Sequence, residues 1–353
     1  MTVSSDSTLS LPEQATAPLH DVAAAHGSAQ HPGAYLTEIA ALLGETLPLL
    51  ERTLMECSAG DAPLDAAAQQ LLAAGGKRVR PVSTLLVNGA CGGVLAEAVP
   101  LAASVELIHS ATLLHDDVMD EGEERRGRPT SRVLWGNLVS VLSGDLLLTH
   151  ALQLVQRAGV PQLMEDTLEA MRALIAGEVA QLKARGRDDL GLAGYLEIVQ
   201  GKTASLFAHA CRCGARAAGA SAQVVDAAGR FGERVGIAFQ IVDDVLDLEG
   251  VPHEVGKRLG HDLSEGKTTL PLAFALEHDA EALRPLLIDA RAGDTVAAAQ
   301  VSQMPSVKAG CEQARDFARA ETDAGLKALM ELPESRERAL LQALVLGLIE
   351  RRN

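Results

Sequence analysis

Ala111-Thr112-Leu113-Leu114-His115-Asp116-Asp117-Val118-Met119-Asp120 and Phe239-Gln240-Ile241-Val242-Asp243-Asp244-Val245-Leu246-Asp247 carry the same design, an apolar run followed by Asp-Asp-Val-x-Asp. Continued as helices, the runs place the first and last aspartate of each motif on one face, four residues apart, with the middle one about 100° round. Like charges at that spacing destabilise an isolated helix. Placing them twice at the ends of apolar helices makes sense if divalent cations sit between the two clusters. Hard oxygen ligands, few carboxylates per ion and the remaining positions filled by water or phosphate describe Mg²⁺. Two solvated acidic helix ends would account for one such motif, but poorly for two with the same wording and setting.

The surrounding composition agrees with helices. Of 353 residues, 47% are hydrophobic and only 2% aromatic, a mix rich in Ala and Leu that favours helix over sheet. Helical spacing runs almost unbroken over 34–56, 64–74, 79–91, 97–120, 136–157, 161–184, 195–218, 222–248, 271–278 and 279–290, then through two amphipathic helices to the C-terminus. Gly127, Arg128 and Pro129 mark a loop, as does 249–267. No strand stands out. The fold expected is all-α, a single large bundle of roughly ten or more helices around a central cavity. Residues 1–30 lack apolar periodicity and read as a disordered tail; 31–353 form the helical domain.

A net charge of −16 argues against a nucleic-acid partner. No run of ~18 uncharged apolar residues suggests a transmembrane segment. The first Lys or Arg is Arg52, so neither a secretory signal nor a transit peptide is indicated, and a cytoplasmic protein is expected. Five scattered cysteines, with Cys211 and Cys213 on different helix faces, read as small buried thiols rather than a disulfide or zinc framework.

Against this acidic background the cations stand out. Lys77, Arg78 and Arg80 follow the flexible pair Gly75-Gly76. Arg125, Arg126 and Arg128 lie just beyond the first aspartates, Lys202-Thr203 sits within a helix, and Lys257 and Lys267 flank the loop after the second aspartates. Guanidinium and ammonium groups beside Mg²⁺-binding carboxylates suggest a ligand with several phosphate charges. His109, two turns before Asp116, is a packed core histidine or a phosphate contact. An apolar interior next to such a site points to chemistry on a hydrocarbon diphosphate. No Ser/His/Asp or Cys/His arrangement and no P-loop competes.

These motifs resemble those of the trans-isoprenyl diphosphate synthases, the polyprenyl synthetase family. The resemblance runs in order through 75–81 (Gly-Gly-Lys-Arg-Val-Arg-Pro), 115–120, Arg125-Arg126-Gly127, Gly144-Asp145, Gly177-Glu178 with Gln181, Lys202-Thr203, 239–247, Gly256-Lys257 and 266–271. It implies that Asp116, Asp117 and Asp120 face Asp243, Asp244 and Asp247 across a cavity. Together they would hold Mg²⁺, three ions with Mn²⁺ as a substitute, on an allylic diphosphate such as farnesyl or geranyl diphosphate. Arg125, Lys202 and Lys267, with Lys257 and Gln240, would bind that diphosphate. Lys77, Arg80, His109 and Arg126 would bind isopentenyl diphosphate, with Thr203 and Gln240 lining the reacting centre. A homodimer is the implied assembly.

Product length is expected to be read along the helix upstream of Asp116. In the family, bulky residues at the positions of Ala111 and Thr112 stop the chain early. The small residues here leave room for about one more isoprene unit per helical turn of ~5.4 Å, with Ile108 a later limit. Hepta- to decaprenyl products are expected, octaprenyl at the centre; a farnesyl or geranylgeranyl synthase is the alternative. A terpene cyclase would not need Lys77, Arg80 and Arg126. A phosphohydrolase built on His115-Asp116 lacks further metal histidines. A non-catalytic subunit of a hetero-oligomeric synthase would be expected to have degraded aspartate motifs.

Overall fold

The computed structural model describes residues 33–60, 62–249 and 261–349. The predicted tail at 1–30 and Lys257 lie outside the described residues. Helix-favouring sequence decides nearly everything else. The order is α1 (Gly33–Leu42), α2 (Thr46–Glu56), α3 (Pro63–Ala73), α4 (Val79–Ala90) and α5 (Leu95–Met119), then a short hairpin, α6 (Ser131–Trp135), α7 (Asn137–Ala158) and α8 (Leu163–Ala184). After these come α9 (Gly191–Val199), a π-helical turn (Gln200–Ala204), α10 (Ser205–Ala217) and α11 (Ala222–Glu249). The chain continues through α12 (His261–Ser264), α13 (Leu270–Arg291), α14 (Thr295–Gln303), α15 (Pro305–Leu329) and α16 (Arg336–Ile349). Proline opens α3 and α15, where its missing N–H costs nothing. Asp294 caps α14 by accepting from the N–H groups of Val296 and Ala297 at 2.8 and 3.1 Å.

The all-α expectation holds, with several local differences. The helix predicted over 195–218 starts earlier and contains the π turn. The predicted boundary at Asp279 is a kink inside α13 (φ −141°, ψ 39°). Three helices rather than two close the chain. Where no strand was foreseen, Glu124–Arg125 (β1) pairs antiparallel with Arg128–Pro129 (β2). Its turn residues Arg126 and Gly127 both have positive φ, 53° and 72°, as a type I′ turn demands.

Two apolar cores position the site. One gathers α1, α2, α4, α5, α10 and α16 around side chains such as Leu50, Leu86, Ile108 and Phe207. The other packs α9, α13 and α15 on the later part of α11, through residues including Tyr195, Ile241, Leu272 and Cys311. The π turn stands where they meet, since Ala204 belongs to the second and Leu206 to the first. Helix α7 packs along α5. By length and a mean hydropathy of 1.6 it is apolar enough to cross a membrane. The expectation of no such segment counted uncharged runs, and α7 is interrupted by little more than Asp145. In the fold Leu147, Ala151 and Val155 of α7 are buried.

Candidate active site

The two aspartate motifs end α5 and α11 in the same way. In each, the first and last carboxylates (Asp116 and Asp120; Asp243 and Asp247) are half-buried, and the middle one (Asp117; Asp244) is buried at 4% exposure. This is the helical geometry of an i, i+4 pair with the intervening residue turned inward. Each carboxylate of the first motif faces a cation from a different element. Asp116 lies 3.8 Å from Lys202 Nζ. Asp117 accepts from Arg125 Nε at 2.9 Å. Asp120 pairs with Arg185, at the end of α8.

The π turn links the two motifs. Lys202 also binds Glu178 of α8 at 2.6 Å. Its neighbour Thr203 donates from Oγ1 to Gln240 Oε1 at 2.9 Å, and Gln240 Nε2 donates to Asp244 Oδ1 at 2.8 Å. A chain of contacts therefore runs from Asp116, by its ion pair with Lys202, through Thr203 and Gln240 to Asp244. The extra residue of a π turn bulges the helix and re-aims its side chains, a feature common at functional sites. Glycines let it approach α8. A Cβ on Gly177 would lie 2.3 Å from the amide nitrogen of Lys202, and one on Gly201 2.7 Å from Gly177 Cα.

Asp244 also accepts from Tyr195 Oη at 2.7 Å. Asp247 accepts from the amide of Asp262 at 3.2 Å. Lys267 pairs with Asp262 at 3.1 Å and with Glu265, and those two carboxylates hold its ammonium well above the usual lysine range despite burial. Burial pushes Asp116 up to about 6 against the pull of Lys202, and it raises Asp117 although Arg125 opposes it. Asp244 is pushed up to about 8 by burial and Asp262, against the donors Tyr195 and Gln240. Carboxylates this reluctant to ionise gain from a further positive charge. Among the described residues no three ligands gather into a closed metal cage. A donor set of separated carboxylates fits Mg²⁺, which keeps waters and phosphate oxygens in its shell.

A second, cationic pole lies against α5. Arg80 stacks over the Phe207 ring, 4.3 Å from its centroid, and Phe207 meets Phe239 at 5.4 Å. Burial lowers Arg80 to about 10 against the pull of Glu106 and Asp243, so it stays a cation at neutral pH. Arg126 presses its guanidinium on Gly76, where a Cβ would lie 2.8 Å from Nη2. His109 is held far below the usual imidazole value by burial and by Arg80, Arg126, Arg125 and Arg78; it is neutral and offers hydrogen bonds, not charge. Lys77 precedes this group at the start of α4. Ala111 and Ile108 are fully buried in the first core, while Thr112 is half-buried and donates to His109 O at 2.7 Å. His115 turns to α7, where its Nε2 bonds Val141 O at 3.1 Å and lies 3.5 Å from Asp145 Oδ1.

The sequence reading assigned no role to Arg78, Glu178, Arg185 or Tyr195. Glu178 stood in a quoted motif and Arg78 in a cation cluster, so both were visible as residues. Their partners are 24 and 28 positions away in the chain, beyond any periodicity.

The polyprenyl synthetase family model matches residues 61–306. Heptaprenyl diphosphate synthase component 2 of Geobacillus stearothermophilus is 37% identical over 80% of this chain and 88% of its own length. Octaprenyl diphosphate synthase of Escherichia coli is 35% identical over 75% and 83%, and a short chain isoprenyl diphosphate synthase of Methanothermobacter thermautotrophicus 38% over 63% and 70%. The crystal structure of polyprenyl synthase from Caulobacter crescentus, complexed with calcium and isoprenyl diphosphate, superposes with a TM-score of 0.84 at 33% identity, covering 92% of this chain and all of that one. The chain belongs to the polyprenyl synthetase family and is a prenyltransferase.

Proposed function

We propose that this prenyltransferase condenses isopentenyl diphosphate head-to-tail onto an allylic diphosphate with Mg²⁺, building a long trans-polyprenyl chain with octaprenyl as the central product. The observation that supports the reading is the chain of contacts from Asp116 through Lys202-Thr203 and Gln240 to Asp244, which links one acidic motif to the other. Asp116, Asp120, Asp243 and Asp247 present the outward carboxylates that would hold the metal. Asp117 and Asp244 serve more by fixing Arg125 and Gln240. Bound there, Mg²⁺ supplies positive charge to the leaving diphosphate.

The remaining work belongs to the chain's own residues. Lys202, Arg125 and Lys267 orient the allylic diphosphate. Lys77, Arg80, Arg126 and neutral His109 hold isopentenyl diphosphate with its double bond towards the allylic carbon. As the allylic C–O bond breaks, its electron pair leaves with diphosphate. The isopentenyl double bond supplies the pair for the new C–C bond, and a proton passes to the departing diphosphate. Phe207 and Phe239 keep water from the cationic centre, and Thr203 and Gln240 offer it oriented dipoles. The protein contributes no covalent nucleophile.

Small Ala111 and Thr112 support a long product, and the relatives' names span short, heptaprenyl and octaprenyl chains. The exposed apolar residues Leu138 and Leu142 on α7, with Ile175, Val179 and Leu182 on α8, support a homodimer, since a face of this kind is rarely left to water. The test is an assay of the purified chain alone with Mg²⁺, labelled isopentenyl diphosphate and farnesyl diphosphate, with products separated by chromatography. Octaprenyl-length product, abolished by chelation, is expected. No incorporation by the lone chain would sink the reading in favour of a partner-dependent subunit.

A further inference from the structure

Arg78 is an arginine that no ligand can reach. It is 5% exposed, yet it stands among the cations of the isopentenyl pole, between Lys77 and Arg80. Its backbone is left-handed (φ 45°, ψ 29°) at the start of α4, a conformation strained for a non-glycine residue that persists only where its surroundings enforce it. Here the enforcement is visible. Glu51 of α2 grips the guanidinium with two oxygens, at 2.8 Å to Nε and 3.0 Å to Nη2. Glu106 of α5 takes Nη1 at 2.6 Å, and Leu72 O accepts from Nη2 at 2.9 Å.

Glu106 is itself 4% exposed and sits one helical turn before His109 on the same face of α5. A buried carboxylate beneath a site meant for an anion works against binding if charge alone is considered. Its placement makes sense as geometry. One side chain clamped by α2, α5 and the end of α3 pins the backbone from which Lys77 and Arg80 leave. Glu106 also offsets the mutual repulsion of Arg78, Arg80 and Arg126, so that these guanidinium groups can share one pole.

We propose that Arg78, held by Glu51 and Glu106, is a positioning residue for isopentenyl diphosphate: it sets the strained backbone that aims Lys77 and Arg80 without touching the substrate. The inference rests on the assignment of this pole to isopentenyl diphosphate made above. Charge and geometry make opposite predictions. Neutralising Glu106 leaves the pole more positive and, on charge alone, lowers the KM for isopentenyl diphosphate. Loss of positioning raises it.

The experiment uses the purified full chain with Mg²⁺. KM is measured for isopentenyl diphosphate at saturating farnesyl diphosphate, and the reverse, in Arg78→Lys, Glu106→Gln and Glu51→Gln. We expect the isopentenyl KM to rise about tenfold in the first two and about threefold in the third, with the farnesyl KM within about twofold of wild type. An unchanged or lowered isopentenyl KM overturns the inference, as does a parallel rise in both constants. Glu51 is 29% exposed, so Glu51→Gln leaves no sealed, unpaired charge and carries the test if the buried variants do not fold. A wild-type chain that fails to condense the two substrates would instead overturn the functional reading.

Discussion

Replacing Gly177 by Ala would set a methyl carbon 2.3 Å from the amide nitrogen of Lys202 and 2.6 Å from the carbonyl carbon of Gly201. Ordinary contact begins at 3.4 Å, so α8 and the π turn must part by about 1 Å. Both contacts are backbone, and no side-chain rotation relieves them. The displaced segment carries Lys202, which bridges Glu178 and Asp116, and Thr203, which orients Gln240. A misplacement of about 1 Å in a positioned site costs about 10²-fold in rate, and overpacking costs about 1–3 kcal/mol of stability. Gly177→Ala is therefore expected to lower kcat about a hundredfold while still folding. Gly310→Ala is the control. Its Cβ would lie 2.2 Å from Pro271 O, as severe a clash, at a crossing of α13 and α15 that carries neither aspartate motif nor Lys202, with Lys267 four residues before Pro271. It should lower the melting temperature comparably and leave kcat per folded molecule within about threefold. A Gly177→Ala enzyme with near wild-type kcat would refute the idea that the close crossing places Lys202.

Ala111→Phe should shorten the main product by several isoprene units, read by chromatography; an unmoved distribution would show that chain length is measured elsewhere. On the proposed homodimer, Leu182→Glu combined with Ile175→Glu, at positions 63% and 60% exposed, should halve the mass seen by light scattering, and an unchanged mass would refute this face as the contact. His209 is buried beside Thr167 and pushed down to about 4, against 6.5 when unfolded. Below pH 6.5 the unfolded chain takes up a proton that the folded chain refuses, so this contribution is complete above pH 6.5 and is lost as pH falls towards 4. It should remove about 2 kcal/mol between pH 7.5 and 5. Urea unfolding of His209→Gln should lack that part of the pH dependence; an identical slope would show that His209 is protonated in the fold.

Some of the site was legible in the residues because its information is local. Helical periodicity places Asp116 with Asp120 and Asp243 with Asp247, and turns Asp117 and Asp244 away; the burial of all six follows that pattern. Lys202 was legible as a cation in an apolar helix, but not the π turn beneath it. The π turn lies at the glycine crossing with α8, and the spacing between Gly177 and Gly201 carries no periodic signal. Arg185 was invisible for a similar reason, since a lone arginine at a helix end gives no hint that it reaches back 65 positions to Asp120.

The sequence by itself determined the all-helical class, the two acidic helix ends and the cationic clusters around them, because composition, period and turn chemistry act over a few residues. Only the tertiary structure decided which cation meets which carboxylate. It also bent the helix at Lys202 and clamped Arg78 into a left-handed backbone between α2 and α5. Those outcomes depend on contacts between residues far apart in the chain, whose energies appear only once the helices have packed.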